Sequence, residues 1–432
     1  MRIRFLGLAT ASLIAAGCGT TTLQATGGQA TSSGHGTAAP TAAASAAPSA
    51  SAAAGSAAAS TPAAGAAGTT TAGAACRGAQ AAPVAAGSLT GLEFVSADQG
   101  WAVGQDAILA TTDGGAHWAA QLSGKLNLTS VDFISGRDGW AVGTTSLLAT
   151  TDGGAHWTAL PEPCPVIRSV HFVSPSAGFA VAGGEDTGGD NPAMPVSGGV
   201  VLATSDGGRS WHTLASPADA QSVCFSDPLH GWLGAAGLLY RTTDGGADWT
   251  ALTSMSGQAG SGGVLASMSV ECASDASAWA MRVGPGAAMS QDPHVGFHAD
   301  QAGATPIFAE QYFQTPGGKP VAESPGSDAG PFSAIDAGNA AFIDWCSACG
   351  AGTAPWDMAT NSGSTLTKKG NVGSITQPQA ASFLSTEVGW VAGSESVFPT
   401  SAAGTPKSQE RIVATTDGGR TWHIQYAGPW TS

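Results

Sequence analysis

Cys346 and Cys349 stand in the run Cys346-Ser-Ala-Cys349, a spacing at which two thiols can form and exchange a disulfide. The segment reads as a hairpin loop, not as the start of a helix, which would lower a thiol pKa, so a local structural disulfide is expected. Glu185, Asp186 and Asp190 fall in one glycine-rich insertion, 183–199. Clustered carboxylates can hold calcium, but no defined ligand spacing accompanies them and a solvated acidic loop is the expectation. Asp113, Asp152, Asp206, Asp244 and Asp417 could be read as a ring of carboxylates. His117 and His156 share one repeat position and read as exposed strand-edge residues. No His or Cys pair has ligand spacing for a structural metal. These sets yield no catalytic, cofactor or metal site, and none is expected.

The five aspartates belong to a repeat. Thr111-Thr-Asp113-Gly-Gly-Ala-His-Trp118 recurs as Thr150–Trp157, Thr204–Trp211, Thr242–Trp249 and Thr415–Trp422. An apolar pair precedes each, as Ile108-Leu109 does the first. This predicts a strand, a turn tied by an Asp that accepts backbone N–H groups, glycines at positive φ, and a Trp that begins the returning strand. The structural role explains all five aspartates alike, and the tryptophans read as core.

A second signal lies upstream of each turn. Phe94 precedes Trp101 by seven residues, and the spacing recurs at Phe133/Trp140, Phe172/Phe179, Phe225/Trp232 and Phe383/Trp390. Cys272/Trp279 and Ile335/Phe342 fit where the Asp turn has decayed; Thr360-Asn-Ser-Gly363 and Asp300-Gln-Ala-Gly303 are worn candidates for it. Seven units of four short strands predict an all-β fold, a single β-propeller of seven four-stranded blades over residues 86–432.

The Thr-x-Asp-x-Gly-x-x-Trp turns resemble the Asp-box of bacterial neuraminidase repeats. With Gly-Trp-Ala-Val-Gly upstream, the unit resembles the propeller of the photosystem II assembly and stability factor family and its bacterial relatives, over about residues 89–430. The resemblance implies a scaffold role for Asp and Trp, and an assembly or binding role without enzymatic activity. Sialidases share the Asp-box but need an arginine triad and a Tyr–Glu nucleophile pair. No Phe/Tyr-Arg-Ile-Pro motif stands at the first blade, and the only tyrosines are Tyr240, Tyr312 and Tyr426. A glycosidase or glycan-binding propeller is the alternative reading. Binding is expected at the insertions near 183–199, 284–315 and 394–409, because variation on a fixed scaffold collects in loops.

The N-terminus reads as an export signal. Arg2 and Arg4 precede the apolar stretch Phe5–Ala16, and Ile14-Ala-Ala-Gly-Cys18 resembles a bacterial lipobox, with Ala15 where Leu is usual. Residues 1–17 are the expected signal peptide and Cys18 the lipidation site. Residues 18–85, rich in Ala, Ser, Thr, Gly and Pro, are expected to form a disordered tether. No later stretch suggests a transmembrane helix. The other cysteines are Cys76, Cys164, Cys224, Cys272, Cys346 and Cys349, an even number that suits disulfides in an exported chain. Cys224–Cys272 would staple blades four and five, which leaves Cys76–Cys164. A net charge of -15 with scattered basic residues excludes nucleic acid as the expected partner. The expectation is a monomer on the outer face of the membrane, held there only by its lipid, that binds a protein or cell-envelope ligand.

Overall fold

The computed structural model describes residues 87–164, 166–186, 196–252, 267–284, 293–309, 321–346, 354–397 and 405–431. Cys18, Cys76, Asp190, Tyr312, Cys349 and the expected signal and tether lie outside these residues, as do the side chains of Glu185 and Asp186.

The described residues form seven antiparallel sheets, each built from consecutive strands. Blade one comprises Leu89–Phe94, Gly100–Gly104, Ala107–Thr111 and Ala119–Ser123. The pattern repeats over 128–159, 167–213, 220–251, 267–323, 332–371 and 377–431. Blade five adds a short fifth strand, Ala322–Glu323, parallel to its fourth, Gly303–Ala309. First strands of neighbouring blades lie side by side around the axis, blade one against both blade two and blade seven. Among the described residues no strand is exchanged where the ring closes. Blade seven instead packs Trp390, Ala392 and Ile412 against Leu89, Leu92 and Phe94. The Trp390 indole donates to the Gly114 carbonyl of blade one at 3.2 Å.

One packing rule holds most junctions. The last residue of the first strand is Phe, and it faces the Gly that opens the second; a Cβ on Gly100 would sit 2.6 Å from the Phe94 ring. The ring lies flat on that glycine. The Trp after the glycine stacks on the Phe of the next blade: Trp101 on Phe133 at 3.5 Å, Trp140 on Phe172 at 3.5 Å and Trp390 on Phe94 at 3.6 Å. Phe179 takes the Trp position in blade three and stacks on Phe225 at 3.4 Å.

Each of the five Asp turns carries the same bonds. Thr111 Oγ1 donates to Asp113 Oδ1 at 2.9 Å and accepts the Gly115 N–H at 2.8 Å, while Asp113 Oδ1 accepts the His117 N–H at 2.9 Å. Gly114 and Gly115 sit at φ +73° and +94°, which only glycine adopts without strain. His117 and His156 lie in the turns themselves, where their rings bond Asp113 and Asp152 at 2.7 and 2.6 Å and hold these carboxyls down at about 2. The turn tryptophans are half-buried and meet the Phe edge-on, Trp118 against Phe94 at 5.8 Å, while the fully buried tryptophans are those of second strands and Trp356 on the third strand of blade six. Thr111 is buried, so Thr111→Val leaves the Gly115 N–H unpaired. It should lower the unfolding free energy by about 1–3 kcal/mol in guanidinium titrations.

Two sequence readings change. Ala334 pairs with Ala340, the places of Phe94 and Gly100, so the blade-six pair is Ala334/Ala341 and not Ile335/Phe342. Where no Phe ring needs room, Ala replaces the glycine; blade five does the same with Cys272 opposite Ala278. The expected insertion 284–315 is not one loop, because His294–Asp300 and Gly303–Ala309 are the third and fourth strands of blade five. Its 300–303 turn and the one at 360–363 both occupy the Asp-turn corner; Asn361, Ser362 and Gly363 are all at positive φ.

Candidate functional site

The two ends of the disc differ. First-to-second and third-to-fourth connections share one end, and there they are short Asp turns or bends. The long connections leave from the other end. Those between Asp186 and Val196, Val283 and His294, Ile343 and Pro355, and Val397 and Lys407 all join a second strand to a third. Those after Ala251 and Ala309 follow a fourth strand. In blades three and seven the second and third strands reach nine residues, against five in blade one. The described ends of the expected loops 183–199 and 394–409 are therefore paired strands that lengthen these hairpins. An Arg411–Glu395 ion pair ties the blade-seven hairpin, and Arg411 also donates to Gln409 Oε1. Val397 and Trp430 stand 48% and 46% exposed at this end of blade seven, on the face that also carries Glu395 and Gln409.

Between blades five and six the insertion-bearing end holds a buried polar group. His294, the first residue of its strand, and Asp344, just past the second strand of blade six (Ala340–Ile343), are both 0% exposed. His294 Nε2 lies 2.8 Å from Asp344 Oδ2, which also accepts the Gly326 N–H at 2.9 Å. Asp357, opposite Phe342 on the third strand, is buried on the same face, and burial pushes its carboxyl up to about 6 against the pull of Lys368. Among the described residues Asp344 Oδ1 and Asp357 Oδ2 have no hydrogen-bond partner. No spacing in the sequence marks these residues; only cross-strand pairing brings them together.

A third polar set runs around the axis near the Asp-turn end. The residue before each Phe position reaches to the next blade. Glu93 accepts the Phe133 N–H at 2.7 Å, Asp132 that of Phe172 at 2.7 Å and Glu271 that of Ala334 at 2.7 Å. Ser333 and Ser382 accept those of Phe383 and Phe94 at 3.0 Å. His171 Nε2 donates to the Phe225 carbonyl at 2.7 Å. At the remaining junction Cys224 is disulfide-bonded to Cys272, Cα to Cα 5.6 Å. The seven links close a belt. Burial, then repulsion from Asp132 and from Glu271 across the axis, drives the Glu93 carboxyl well up. Burial raises Glu271 to about 7. These acids build the ring, with Asp132 buried and Glu93 and Glu271 half-buried.

Glu271 gives a pH test. Its carboxyl is held above the unfolded value of 4.5, so its stabilising share is present below that pH and is lost as pH rises through about 7. Unfolding free energy should drop by about 1–3 kcal/mol from pH 5 to 8, and Glu271→Gln, which keeps an acceptor for Ala334, should flatten the drop.

Of the remaining sequence-derived residues, Cys164 and Cys346 are each disulfide-bonded. Asp206, Asp244 and Asp417 sit in separate turns like that of Asp113. Among the described residues no group of three or more His, Cys, Asp or Glu side chains is placed to hold a metal.

Asp turns at matching corners of a ring of seven consecutive sheets define an Asp-box β-propeller. Residues 79–220, which run through the first three blades, match the model of the family described as Photosynthesis system II assembly factor YCF48. The resemblance read from the repeats thus recurs in an independent comparison. No curated protein matches the sequence. Among solved structures, the GH74 enzyme of Niastella koreensis is similar at 13% identity and TM-score 0.51, over 80% of this chain and 67% of that one. A structure described as YCF48 bound to D1 peptide aligns at 15% identity and TM-score 0.38, over 80% and 83%. Likeness at such identities speaks to the fold alone.

Proposed function

We propose that this chain is an exported, lipid-anchored propeller that binds a protein partner at its insertion-bearing end and serves as a non-enzymatic assembly or binding scaffold. The asymmetry of the disc carries the reading. One end is kept to short, repeated turns, while every long connection and the half-exposed Trp430 and Val397 gather at the other. Recognition surfaces collect on variable loops above a rigid frame, and aromatic side chains anchor protein interfaces. The match of residues 79–220 to an assembly-factor family supports a protein partner over a glycan.

In this reading Cys18 carries the lipid and residues 18–85 hold the disc away from the membrane surface. Cys18→Ser should move the chain out of the membrane fraction. In-cell cross-linking of the tagged, membrane-held protein should return one envelope protein reproducibly. Retention or hydrolysis of a surface glycan, with no protein adduct, would replace this reading with the carbohydrate one.

A further inference from the structure

We propose that the seam between blades five and six is a binding site for a hard divalent cation, calcium, held by the carboxylates of Asp344 and Asp357. The two residues are diagonal neighbours on one sheet face, since the Asp344 N–H donates to the Pro355 carbonyl and Asp357 lies opposite Phe342. Diagonal neighbours on a sheet lie roughly 7–8 Å apart, and an ion between the two carboxylates, about 2.4 Å from an oxygen of each, spans that gap.

Each acid is at most 2% exposed, and each has a carboxylate oxygen with no hydrogen-bond partner. A buried anionic oxygen left unpaired is costly, and two on one face repel as well. A shared cation removes both penalties. Lys368 lies opposite Asp357 on the fourth strand of blade six and is exposed.

The support around Asp344 fits a ligand. His294 and the Gly326 N–H both bind Oδ2 and leave Oδ1 free, the way surrounding hydrogen bonds orient a metal-binding carboxylate. The His294 Nε2 is occupied by this contact and is not itself a donor to an ion. With carboxylate oxygens as the donors, the chemistry selects a hard ion over zinc. Two carboxylates leave room for backbone carbonyls and water among the roughly six to eight oxygens calcium takes.

The location gives the ion a purpose independent of any partner. Blades five and six have lost both the Asp turn and the Phe-on-Gly stack, and a cation here would pin their seam at the end that carries the insertions.

The test uses the purified chain after chelator treatment. Calorimetric titration with calcium chloride should show one site, and calcium should raise the thermal midpoint. Terbium should bind in its place and emit on tryptophan excitation, because Trp345 and Trp356 adjoin the two acids in sequence. Asp344→Asn and Asp357→Asn should each weaken calcium binding at least about tenfold, while Asp106→Asn, at an exposed turn, should not. Asp357→Asn without metal should be as stable as the parent or more so, which separates lost binding from lost folding. Absence of calcium heat, terbium emission and midpoint shift at millimolar metal would overturn the site. So would unchanged binding in both variants.

Discussion

Trp101→Ala should lower the unfolding free energy by about 3–5 kcal/mol, because it empties a closed junction between blades one and two. Trp101 is 1% exposed, its ring stacks on Phe133 at 3.5 Å, and its indole N–H donates to the Gly153 carbonyl of the next Asp turn at 3.2 Å. The substitution removes the stack and leaves a cavity, while the Gly153 carbonyl keeps only its bond from the Gln121 amide at 2.8 Å. The informative control is Trp232, the same position in blade four. Blade five has no Asp turn to supply a carbonyl, and the Trp232 indole nitrogen is buried without a partner. Trp101→Phe loses a hydrogen bond, whereas Trp232→Phe relieves an unsatisfied donor. Trp232→Phe should therefore cost less than half of what Trp101→Phe costs in parallel guanidinium titrations. Equal losses would show that the indole hydrogen bond to the neighbouring turn does not hold the junctions together.

Loss of the Cys224–Cys272 bridge should cost about 4 kcal/mol, from the chain entropy released by opening a loop with sequence separation 48. The bridge stands where the packing rule fails. Cys272 occupies the Phe position of blade five, so Trp232 has no ring to stack on, and its indole has no carbonyl. The covalent link replaces both contacts. Comparing Cys224→Ala/Cys272→Ala with the parent under non-reducing conditions isolates it from the disulfides at Cys164 and Cys346. A repair follows from the same rule. Cys224→Ala with Cys272→Phe and Ala278→Gly rebuilds a ring lying on a glycine beneath Trp232. It should regain at least about 1 kcal/mol relative to the double variant. No regain would mean that stacking and the bridge are not alternatives for one task.

Most of the propeller was legible because its junction rule is written in residue types. A Phe at the end of the first strand demands a Gly opposite it, and Gly-Trp seven residues on is the visible trace of that demand. The Asp turn is equally local, with Thr, Asp and the second glycine bonding one another within five residues. Reading failed where the rule was rewritten. In blade six both Phe and Gly became Ala, at Ala334 and Ala340, and nearby Phe342 offered a false register one residue away. The strands of blade five passed for an insertion because their turn kept only Asp300 and Gly303. The belt had a signal that went unread: the residue before the Phe position is polar or Cys in every blade, from Glu93 to Ser382. The buried acids at Asp344 and Asp357 had none, because pairing across strands, not spacing along the chain, makes them neighbours.

The most direct test of the account places a photo-cross-linking residue at each end of the disc in living cells. Positions 397 and 430 report on the insertion-bearing end, and positions 117, 156 and 229 on the Asp-turn end. All five are exposed, so either end is free to react. Adducts to a single envelope protein from 397 or 430, with none from the turn positions, are the expected result. Adducts to such a partner from the turn end alone would contradict the assignment of the binding face, and so would no protein adduct from either end.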